Sequence, residues 1–455
     1  MTAKRLVVLG GGPAGHAAAT HAARFGVEVT LVERDIVGGT AHLRDCVPSK
    51  TMISTGSALW FAGHLDDLGL ATVTTVVDAP LLRLRIADIE NHLATAARSM
   101  LASQGVRMIS GTGRLAGPND VVATTDEGDI ELHADAVVLA TGSRPRIPDW
   151  ASVDGERVLT TRDAYPPVEM PEHLVVVGSG VTGVEFVHMF ISLGSQVTLI
   201  VSRQQVLPHR DPEAAAILEQ TFIDAGVKLL KGARATGIER NGDEVVVDCD
   251  DGRVARGTHA LIAIGSVPNS DDLGLEHTAV EVDEHGYIDI DHNLQSSEPS
   301  VYAAGDLSGK LPLSSVAAMQ GRKIAEHFVG MHDFRPHRDI DYDKAASAIF
   351  TDPEIAEVGL AEAEAFATGR KIRVTKVPFN SNAKALIDER PHGFVKIVSD
   401  PLTGQVLGGS IVGHHAGELI SVVALAVNAG LAVNDIAESL FVYPSLCEAI
   451  SEAAE

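Results

Sequence analysis

The chain has 455 residues, 45% of them hydrophobic, and carries 61 acidic against 36 basic residues, a net charge of −25. That length leaves room for about three domains of ~150 residues, and the negative charge opposes binding to nucleic acids and to anionic membrane surfaces. Three cysteines, Cys46, Cys249 and Cys447, are too few and too widely spaced for a disulfide framework. Composition therefore predicts a multi-domain protein of the reducing cytoplasm, with no nucleic-acid partner and no membrane insertion.

The chain opens on a predicted strand followed by a glycine-rich turn. Leu6–Leu9 is a short apolar run, typical of a strand buried on both faces of a parallel sheet, and it leads into the sequence GGGPAG. Gly10 allows a tight turn, and Gly12 allows the backbone to approach a pyrophosphate. Gly15 allows the next helix, expected over Ala17–Phe25, to pack on the strand. The N-terminus of that helix would face the phosphates.

A second predicted strand completes this unit. Val27–Val32 runs into Glu33, which lies 18 residues beyond Gly15. An acidic residue at about this spacing accepts a hydrogen bond from a ribose hydroxyl. Strand, turn, helix and acid together predict a dinucleotide-binding site.

The same pattern recurs in the middle of the chain. Leu174–Val177 is a second apolar run, and it is followed by a helix that carries Glu185. Between them lie the three glycines of the motif GSGVTG, Gly178, Gly180 and Gly183. Two such units predict two bound dinucleotides.

The second unit differs from the first where its second strand ends. Val197–Val201 is followed by Ser202 and Arg203 in place of an acidic residue. A hydroxyl and a guanidinium favour the 2′-phosphate of NADPH. A solvated arginine without a ligand is the alternative interpretation.

Two further apolar runs end in short polar turns. Ala136–Gly142 has the sequence AVVLATG, and Val301–Asp306 has the sequence VYAAGD. The second run precedes a helix expected over Ser314–Phe328. Asp306 is therefore suited to accept a hydrogen bond from a ribityl hydroxyl.

The order of these motifs resembles that of the flavoprotein disulfide reductases, which include dihydrolipoamide dehydrogenase, glutathione reductase and mercuric reductase. Seven sequences carry the likeness, in chain order GGGPAG, GGTAHLRDCVPSK, ATG, GSGVTGVE, AAGD, FTDPEIAEVGL and YPSLCEAISE. The resemblance implies an α/β fold with two Rossmann-like dinucleotide-binding domains and a C-terminal α+β domain that forms a homodimer. The implied boundaries are an FAD-binding domain over 1–149 and 269–344, an NAD(P)H-binding domain over 150–268 between proline-rich turns at Arg144–Pro148 and Gly265–Pro268, and an interface domain over 345–455.

The resemblance also implies two cofactors, FAD and either NADPH or NADH. It extends the set of predicted cofactor-binding residues beyond the glycines, Glu33, Ser202 and Arg203. The added residues are Gly39, Thr40, Lys50, Thr141, Gly142, Gly265, Gly305 and Asp306.

The redox motif departs from the family pattern. The family has two cysteines, spaced as CxxxxC, whereas Ala41 replaces the first here and Cys46 alone remains. One thiol cannot cycle as a dithiol. Near the C-terminus, Tyr443 stands where the family has the acid–base histidine of the partner subunit, while Glu448 is retained. A phenol, which ionises near pH 10, is a poor proton shuttle at neutral pH.

The residues that the family uses to reduce its flavin are retained. Lys50 matches the lysine near flavin N5, where an ammonium stabilises developing negative charge, and Glu185 matches its carboxylate partner. Electrons would then leave to a flat, easily reduced acceptor, for which we expect a quinone. The replacement of cysteine by Ala41 and of histidine by Tyr443 also resembles the pattern of the NAD(P)H quinone reductase branch of the family in actinobacteria. The predicted catalytic residues are Lys50, Glu185, Cys46, Tyr443 and Glu448.

Three other functions stay open from the sequence. A soluble pyridine nucleotide transhydrogenase would pass electrons to NAD⁺, and a second alternative is a dihydrolipoamide dehydrogenase-like protein without disulfide reductase activity. A flavin-bound interaction module would need no turnover. Retention of Lys50 and Glu185 argues against the module.

Several single features have alternative interpretations. Cys46 is either a thiolate beside the flavin or a small buried thiol, and Cys447 is either a replacement redox partner or a packing residue. The apolar stretch Val422–Val433 is too short to span a bilayer and is expected to form a buried helix. No spacing of histidines with cysteines or carboxylates specifies a metal site.

Overall fold

A computed structural model describes residues 3–331 and 338–455, so part of the predicted segment 269–344 lies outside the described residues. The chain divides into two compact units. Unit 1 comprises Met1–Ser49, Pro80–Arg146 and Ser266–Tyr342, and unit 2 comprises Lys50–Ala79, Ile147–Gly265 and Asp343–Glu455. The predicted domain boundaries stay a prediction.

The strands are β1 (Arg5–Leu9), β2 (Glu28–Glu33), β3 (Arg107–Ser110), β4 (Thr112–Leu115), β5 (Asp120–Thr125), β6 (Gly128–His133), β7 (Ala136–Leu139), β8 (Ser143–Pro145), β9 (Val158–Thr160), β10 (His173–Val177), β11 (Gln196–Val201), β12 (Lys228–Lys231), β13 (Ala235–Asn241), β14 (Glu244–Cys249), β15 (Val254–Gly257), β16 (His259–Ile262), β17 (Ser266–Pro268), β18 (Val301–Ala303), β19 (Ser347–Ile349), β20 (Glu354–Gly359), β21 (Arg373–Pro378), β22 (Phe394–Ser399) and β23 (Val406–Gly413). Strands and helices alternate in the two dinucleotide motifs, whereas β3 to β10 and β12 to β18 follow one another without an intervening α-helix.

The α-helices are α1 (Pro13–Arg24), α2 (Val47–Gly63), α3 (Ala79–Ser103), α4 (Val181–Ser192), α5 (Pro212–Asp224), α6 (Ser314–Phe328), α7 (Glu362–Ala367), α8 (Ala383–Ile387), α9 (Ala416–Ala429), α10 (Val433–Ala437) and α11 (Glu448–Ala454). Helix α1 begins four residues before the expected start at Ala17. The reason is Pro13, whose fixed φ and missing N–H suit the first helical position.

Unit 1 is built on a parallel sheet with the strand order β18-β7-β1-β2-β3. Alternate residues of β1 face opposite sides, so Leu6 and Val8 pack in one hydrophobic cluster while Val7 and Leu9 pack in another. The first cluster includes residues of α1 and α6, and the second includes residues of the antiparallel sheet β4-β5-β6. Burial on both faces explains why β1 is wholly apolar after its first residue.

Unit 2 repeats this plan with a parallel sheet ordered β12-β11-β10-β16-β9 and an antiparallel sheet of β13, β14 and β15. In both units the first strand of the dinucleotide motif lies where the strand order reverses. Ligands of open α/β sheets bind at such a point, beyond the carboxyl ends of the strands. The sheets therefore place both glycine motifs where a dinucleotide binds.

The C-terminal part of unit 2 is an antiparallel sheet ordered β19-β20-β23-β22-β21, packed with α9, α10 and α11 in one hydrophobic cluster. The prediction of a buried helix over Val422–Val433 is confirmed as far as Ala429 and is wrong beyond it. Helix α9 ends at Ala429, because Gly430 adopts a left-handed conformation (φ 68°), and α10 begins at Val433.

None of the helices in the described part of the chain combines the length and hydrophobicity that crossing a membrane requires.

The parallel sheet of unit 2 contains a buried histidine whose protonation is expected to lower the free energy of unfolding. His259 on β16 is 0% exposed. Burial lowers its pKa to about 4, and the Arg157 guanidinium adds to that shift. An unfolded chain binds this proton near pH 6.5. Because the unfolded state takes up the proton first, the free energy of unfolding must fall as the pH drops from about 7 toward 4.

We expect His259→Gln to show a flatter pH dependence of the free energy of unfolding than the parent over this range. Urea unfolding at a series of pH values measures it. The control is His285→Gln, which alters an exposed histidine. Parallel profiles for parent and His259→Gln would contradict the prediction.

Candidate functional site

The first glycine of each motif is required by the fold itself. Gly10 and Gly178 have φ angles of +102° and +110°. A Cβ on either would lie 2.3 Å from a carbonyl oxygen, that of Ala140 or of Ala263. Both turns thus have the same geometry, because strand and helix meet there in the same way.

The other two glycines of each motif serve different purposes. A Cβ on Gly15 or on Gly183 would lie 1.9 Å from the carbonyl oxygen of the first glycine, so these residues permit the helix to pack. A Cβ on Gly12 would meet only the Cα of Gly39, at 3.7 Å, and one on Gly180 would meet no described atom within 4 Å. Since the protein does not fill this space, the middle glycines leave room for a ligand.

Both helix starts suit a pyrophosphate. Gly12 is the N-cap of α1 and Gly180 is the N-cap of α4. In the described part of the structure neither helix start has a hydrogen bond from a capping side chain. The backbone N–H groups of a first helical turn have no partner within the helix, and they carry the positive end of its dipole. The two sites therefore fit the phosphates of FAD and of NAD(P)H.

Glu33 lies at the end of β2, next to the first glycine motif. Its Oε2 accepts a hydrogen bond from the Gly11 N–H at 2.6 Å, and its Oε1 accepts one from the Asp35 N–H at 2.7 Å. A carboxylate has about four acceptor positions. These two bonds orient the side chain and leave it the capacity for a ribose hydroxyl, which stays a prediction.

The ATG turn after β7 is tied to the segment that follows β17. Thr141 Oγ1 donates to the carbonyl oxygen of Asn269 at 2.8 Å, and Asn269 Nδ2 donates back to the Thr141 carbonyl at 2.9 Å. Gly142 follows with a φ of +68°. The expected proline-rich turns are wrong in part, because Ser143–Pro145 and Ser266–Pro268 pair as an antiparallel ribbon.

Gly305 and Asp306 begin a 3₁₀ turn ahead of α6. The Gly305 N–H donates to Gln320 Oε1 at 2.7 Å, and Ser143 Oγ donates to Asp306 Oδ2 at 2.6 Å. The aspartate is thus oriented by a serine from the ribbon. Its contact with a ribityl hydroxyl stays a prediction.

The segment Ala41–Cys46 is a π-helical turn with Thr40 at its N-cap. The i→i+5 hydrogen bonds of a π-helix bring residues five apart closer around the helix axis than the about 140° that separates them in an α-helix. Ala41 and Cys46, the two positions of the family's cysteine pair, are the first and last residues of this turn. Cys46 is exposed, so the alternative of a buried packing thiol is wrong.

Gly39 lies directly against the first glycine motif. A Cβ on it would stand 2.4 Å from the Cα of Gly12. Only glycine permits the two loops to approach this closely. This approach explains why the GGT sequence precedes the π-helical turn.

Lys50 and Glu185 form the ion pair that the resemblance implies. Lys50 on α2 donates to Glu185 Oε2 at 2.7 Å, and the N–H of Phe350 donates to Glu185 Oε1 at 2.9 Å. The Lys50 ammonium also lies 4.6 Å from the centre of the Phe350 ring. The Glu185 side chain is 11% exposed, so removal of one partner would leave a charge nearly buried, a change that costs ~3 to 5 kcal/mol.

A buried histidine lies one helical turn after Glu185. Burial lowers the pKa of His188, although the carboxylates of Asp352 and Glu185 oppose that shift. Its Nε2 has no hydrogen-bond partner among the described residues. The lowered pKa favours the neutral form of His188, which does not compete with Lys50 for an ion pair with the Glu185 carboxylate.

The residues that follow the second strand of the NAD(P)H unit are exposed. Ser202, Arg203 and Gln204 project from the end of β11, while the Arg203 carbonyl oxygen accepts from the Gly232 N–H at 3.0 Å. The backbone of Arg203 is therefore fixed by this hydrogen bond, while its guanidinium is exposed to solvent. Gly265, with a φ of +97°, follows β16. The contact of Arg203 with a 2′-phosphate stays a prediction.

The C-terminal residues of the site lie around the start of α11. Tyr443 is 74% exposed, and Glu448 Oε2 accepts from the Ser445 N–H at 3.1 Å. Cys447 packs against the hydrophobic cluster of this part, and burial raises the pKa of its thiol. A thiol in that environment is a weak nucleophile, which favours the packing interpretation of Cys447.

Within residues 3–331 and 338–455, no group of three or more histidine, cysteine or carboxylate side chains could hold a metal ion. The sequence reasoning missed Phe350, which contacts both members of the Lys50–Glu185 pair. The only available signal was its place at the start of the FTDP sequence, and no periodicity marks it.

Two family models match the chain. One, described as pyridine nucleotide-disulphide oxidoreductase, matches residues 4–321, and the dimerisation domain of the same family matches residues 345–454. These matches confirm the predicted resemblance and α/β fold, and the second supports the predicted homodimer.

The curated relatives span the whole chain. The NAD(P)H dehydrogenase (quinone) of Mycobacterium tuberculosis is 42% identical over 463 residues, covering 99% of this chain and 93% of the relative. The dihydrolipoyl dehydrogenase of Haloferax volcanii is 34% identical, covering 100% and 96%. Among solved structures, LpdA from Mycobacterium tuberculosis has a TM-score of 0.93 at 40% identity, covering 99% of both chains.

The exposed Arg203 generates a prediction about cofactor choice. Arg203→Ala should raise the KM for NADPH about 10- to 100-fold more than the KM for NADH, because a charge-assisted contact to a 2′-phosphate contributes ~1.5 to 3 kcal/mol. Steady-state kinetics with both nucleotides measure the ratio. Arg256→Ala, which removes an exposed arginine of the same unit, is the control. Equal effects on NADPH and NADH would remove the assignment.

Proposed function

Because the chain belongs to the pyridine nucleotide-disulphide oxidoreductase family, we propose that it is an NAD(P)H dehydrogenase that reduces quinones and not disulfides. Members of the family use FAD and NAD(P)H, so the prediction of both cofactors is confirmed. The observation that carries the proposal is the contrast between an intact Lys50–Glu185 pair and the loss of both groups needed for thiol exchange.

The residues divide into two sets by the half of the reaction they serve. When bound, FAD supplies the redox chemistry by taking a hydride from the nicotinamide and giving electrons to the acceptor. Lys50 supplies a positive charge, and Glu185 with the Phe350 N–H holds that ammonium in one position. This set serves flavin reduction.

The second set, which would serve a disulfide, is incomplete. Ala41 lacks the sulfur that attacks an outside disulfide, and the π-helical turn brings no other cysteine to that position. Tyr443 offers a phenol in place of the family's imidazole, and a phenol is a poor general acid–base near neutral pH. An acceptor that takes electrons without thiol chemistry fits this site, and a quinone is flat, apolar on its faces and easily reduced.

Two other observations support the proposal. The quinone-reducing relative from Mycobacterium tuberculosis is 42% identical over nearly the whole chain. No disulfide joins any of the three cysteines, all of which lie in the described part of the chain, and this favours work in the reducing cytoplasm.

The direct test is an anaerobic reduction followed by a panel of acceptors. We expect one equivalent of NADPH to bleach the flavin, because the second two-electron site of the family, its disulfide, cannot form here. A benzoquinone or naphthoquinone should then restore the yellow colour, whereas oxidised glutathione and lipoamide should not. Consumption of two equivalents, or rapid reoxidation by the disulfides, would overturn the proposal. Reoxidation by thio-NAD⁺ and not by quinones would establish a transhydrogenase instead.

Restoring the missing groups tests why disulfides are excluded. Ala41→Cys should form a disulfide with Cys46, because the two residues stand at the positions of the family's cysteine pair in the π-helical turn, yet turnover with lipoamide should stay low. Adding Tyr443→His should raise that turnover about 100- to 10,000-fold in the Ala41→Cys background only, since a general acid–base contributes about that much.

The control variants introduce side chains of similar size that lack the thiol or the imidazole. Ala41→Ser cannot form the disulfide, and Tyr443→Phe introduces no base. Lipoamide and glutathione reduction are measured in all variants, with a quinone as the reference acceptor. A high disulfide reductase rate in Ala41→Cys alone would contradict the expected dependence on a base.

A further inference from the structure

Helix α2 carries Lys50 in its first turn and Trp60 near its end. Their separation of ten positions corresponds to about 15 Å of helix. Midway, the helix touches α4 so closely that a Cβ on Gly56 would lie 2.1 Å from Ser192 Oγ. Lys50 pairs with Glu185 on the same helix α4. Helix α2 thus lies along α4, with Lys50 at one end of the contact.

An arginine is stacked on the far end of α2. The guanidinium carbon of Arg390 lies 3.3 Å from the centre of the Trp60 ring, and Nη1 donates to Asp352 Oδ2 at 2.5 Å. His64, one turn after Trp60, stacks on the ring at 4.1 Å. The Arg390 side chain is 16% exposed, so the ion pair and the stack are partly removed from water and are stronger for it.

Both ends of α2 are held by one short segment. Phe350 donates its N–H to Glu185 and places its ring beside the Lys50 ammonium. Two residues later, Asp352 holds the guanidinium that stacks on Trp60. Since the segment directly follows β19, the edge of a five-stranded sheet supports both contacts.

A tilt of α2 at its Trp60 end would displace Lys50 at the other end. With the close contact at Gly56 as the pivot, Lys50 lies about 9 Å away along the helix, so a tilt of about 6° displaces that end by about 1 Å. Misplacement of a reacting group by about 1 Å costs on the order of 100-fold in rate. The contact at Trp60 therefore bears on the position of Lys50 although it touches neither Lys50 nor Glu185.

We propose that Arg390 is a positioning residue of the active site, which acts by clamping Trp60 to Asp352 and thereby holds helix α2 and its Lys50 in place. The inference rests on that part of the proposed function which assigns Lys50 to flavin reduction, and not on the identity of the acceptor. Among the described residues, the polar and ring contacts of the Arg390 and Trp60 side chains are with each other, with Asp352 and with His64, and none is with Lys50 or Glu185, so the effect of the clamp must pass through the helix.

The test measures the helix and the flavin separately in the holoenzyme. In Arg390→Gln and in Trp60→Leu, hydrogen exchange of the α2 amides should be about tenfold faster, because loss of the stack and of a charged hydrogen bond weakens the helix locally. The limiting rate of flavin reduction by NADPH should fall about 10- to 100-fold. The half-saturating NADPH concentration should change by less than about twofold, since the nucleotide site is not touched.

Conservative and control variants separate positioning from general destabilisation. Trp60→Phe keeps a ring for the guanidinium and should retain most of the parental rate, while Arg390→Lys keeps the charge without the planar stack and should be intermediate. Arg256→Gln, at an exposed ion pair of the same unit, should change neither readout. The double variant of Arg390→Gln and Trp60→Leu should be no slower than either single variant, as for residues that act as one unit.

Two outcomes would overturn the proposal. One is a parental limiting rate of flavin reduction in Arg390→Gln, and the other is a reduced rate with unchanged exchange of α2. If Arg390→Gln does not fold, the same two measurements on Trp60→Leu and Trp60→Phe test the contact through the other residue of the stack. Failure of every quinone as acceptor would refute the proposed function and leave these readouts intact.

Discussion

The ion pair between Lys50 and Glu185 is the interaction on which the rest of the site depends. Its members are 135 residues apart and meet at 2.7 Å, with a third bond from the Phe350 N–H. A carboxylate that is nearly out of water must keep its partners, because an uncompensated buried charge is costly. The pair therefore fixes how α2 lies against α4. The neighbouring neutral His188 is compatible with it because burial opposes its protonation.

The two dinucleotide units show how one backbone device serves two ligands. Gly10 and Gly178 adopt the same strained turn, and each sits at the point where its sheet reverses strand order. The turn recognises phosphate through the backbone, so it carries no information about the rest of the nucleotide. The units differ at Glu33, the last residue of β2, and at Arg203, two residues after β11. The predicted contacts, a ribose hydroxyl for Glu33 and a 2′-phosphate for Arg203, would change selectivity without any change of fold.

The chemistry of the site likewise changes without a change of fold. Ala41 and Cys46 are the first and last residues of a π-helical turn, at the positions of the family's cysteine pair. The exposed Tyr443 and Glu448, whose carboxylate accepts from the Ser445 N–H, stand at the positions of the family's acid–base pair. Function on a common scaffold resides in such single groups, and under the proposed function the loss of two of them would remove thiol exchange while Lys50 and Glu185 would still serve flavin reduction.

Local elements could be predicted from the sequence because their causes are local. Glycine spacing and apolar runs determined the two dinucleotide units, and the helix expected over Ser314–Phe328 has those limits in the structure. The family pattern implied the Lys50–Glu185 pair. The break of the apolar stretch at Gly430 was also a local signal, although hydrophobicity alone concealed it. These features follow from φ preferences and from periodicity, which a sequence displays directly.

Only the tertiary structure decided what supports the pair. Phe350 reaches Glu185 from 165 residues away through its backbone N–H, a group that every residue except proline has. Arg390 meets Trp60 and Asp352 because three distant segments converge on one helix. Such contacts leave no periodic pattern, since they depend on how packed elements are placed in space. The sequence by itself determined the chemical groups of this site, and the packing of the chain determined which of them touch.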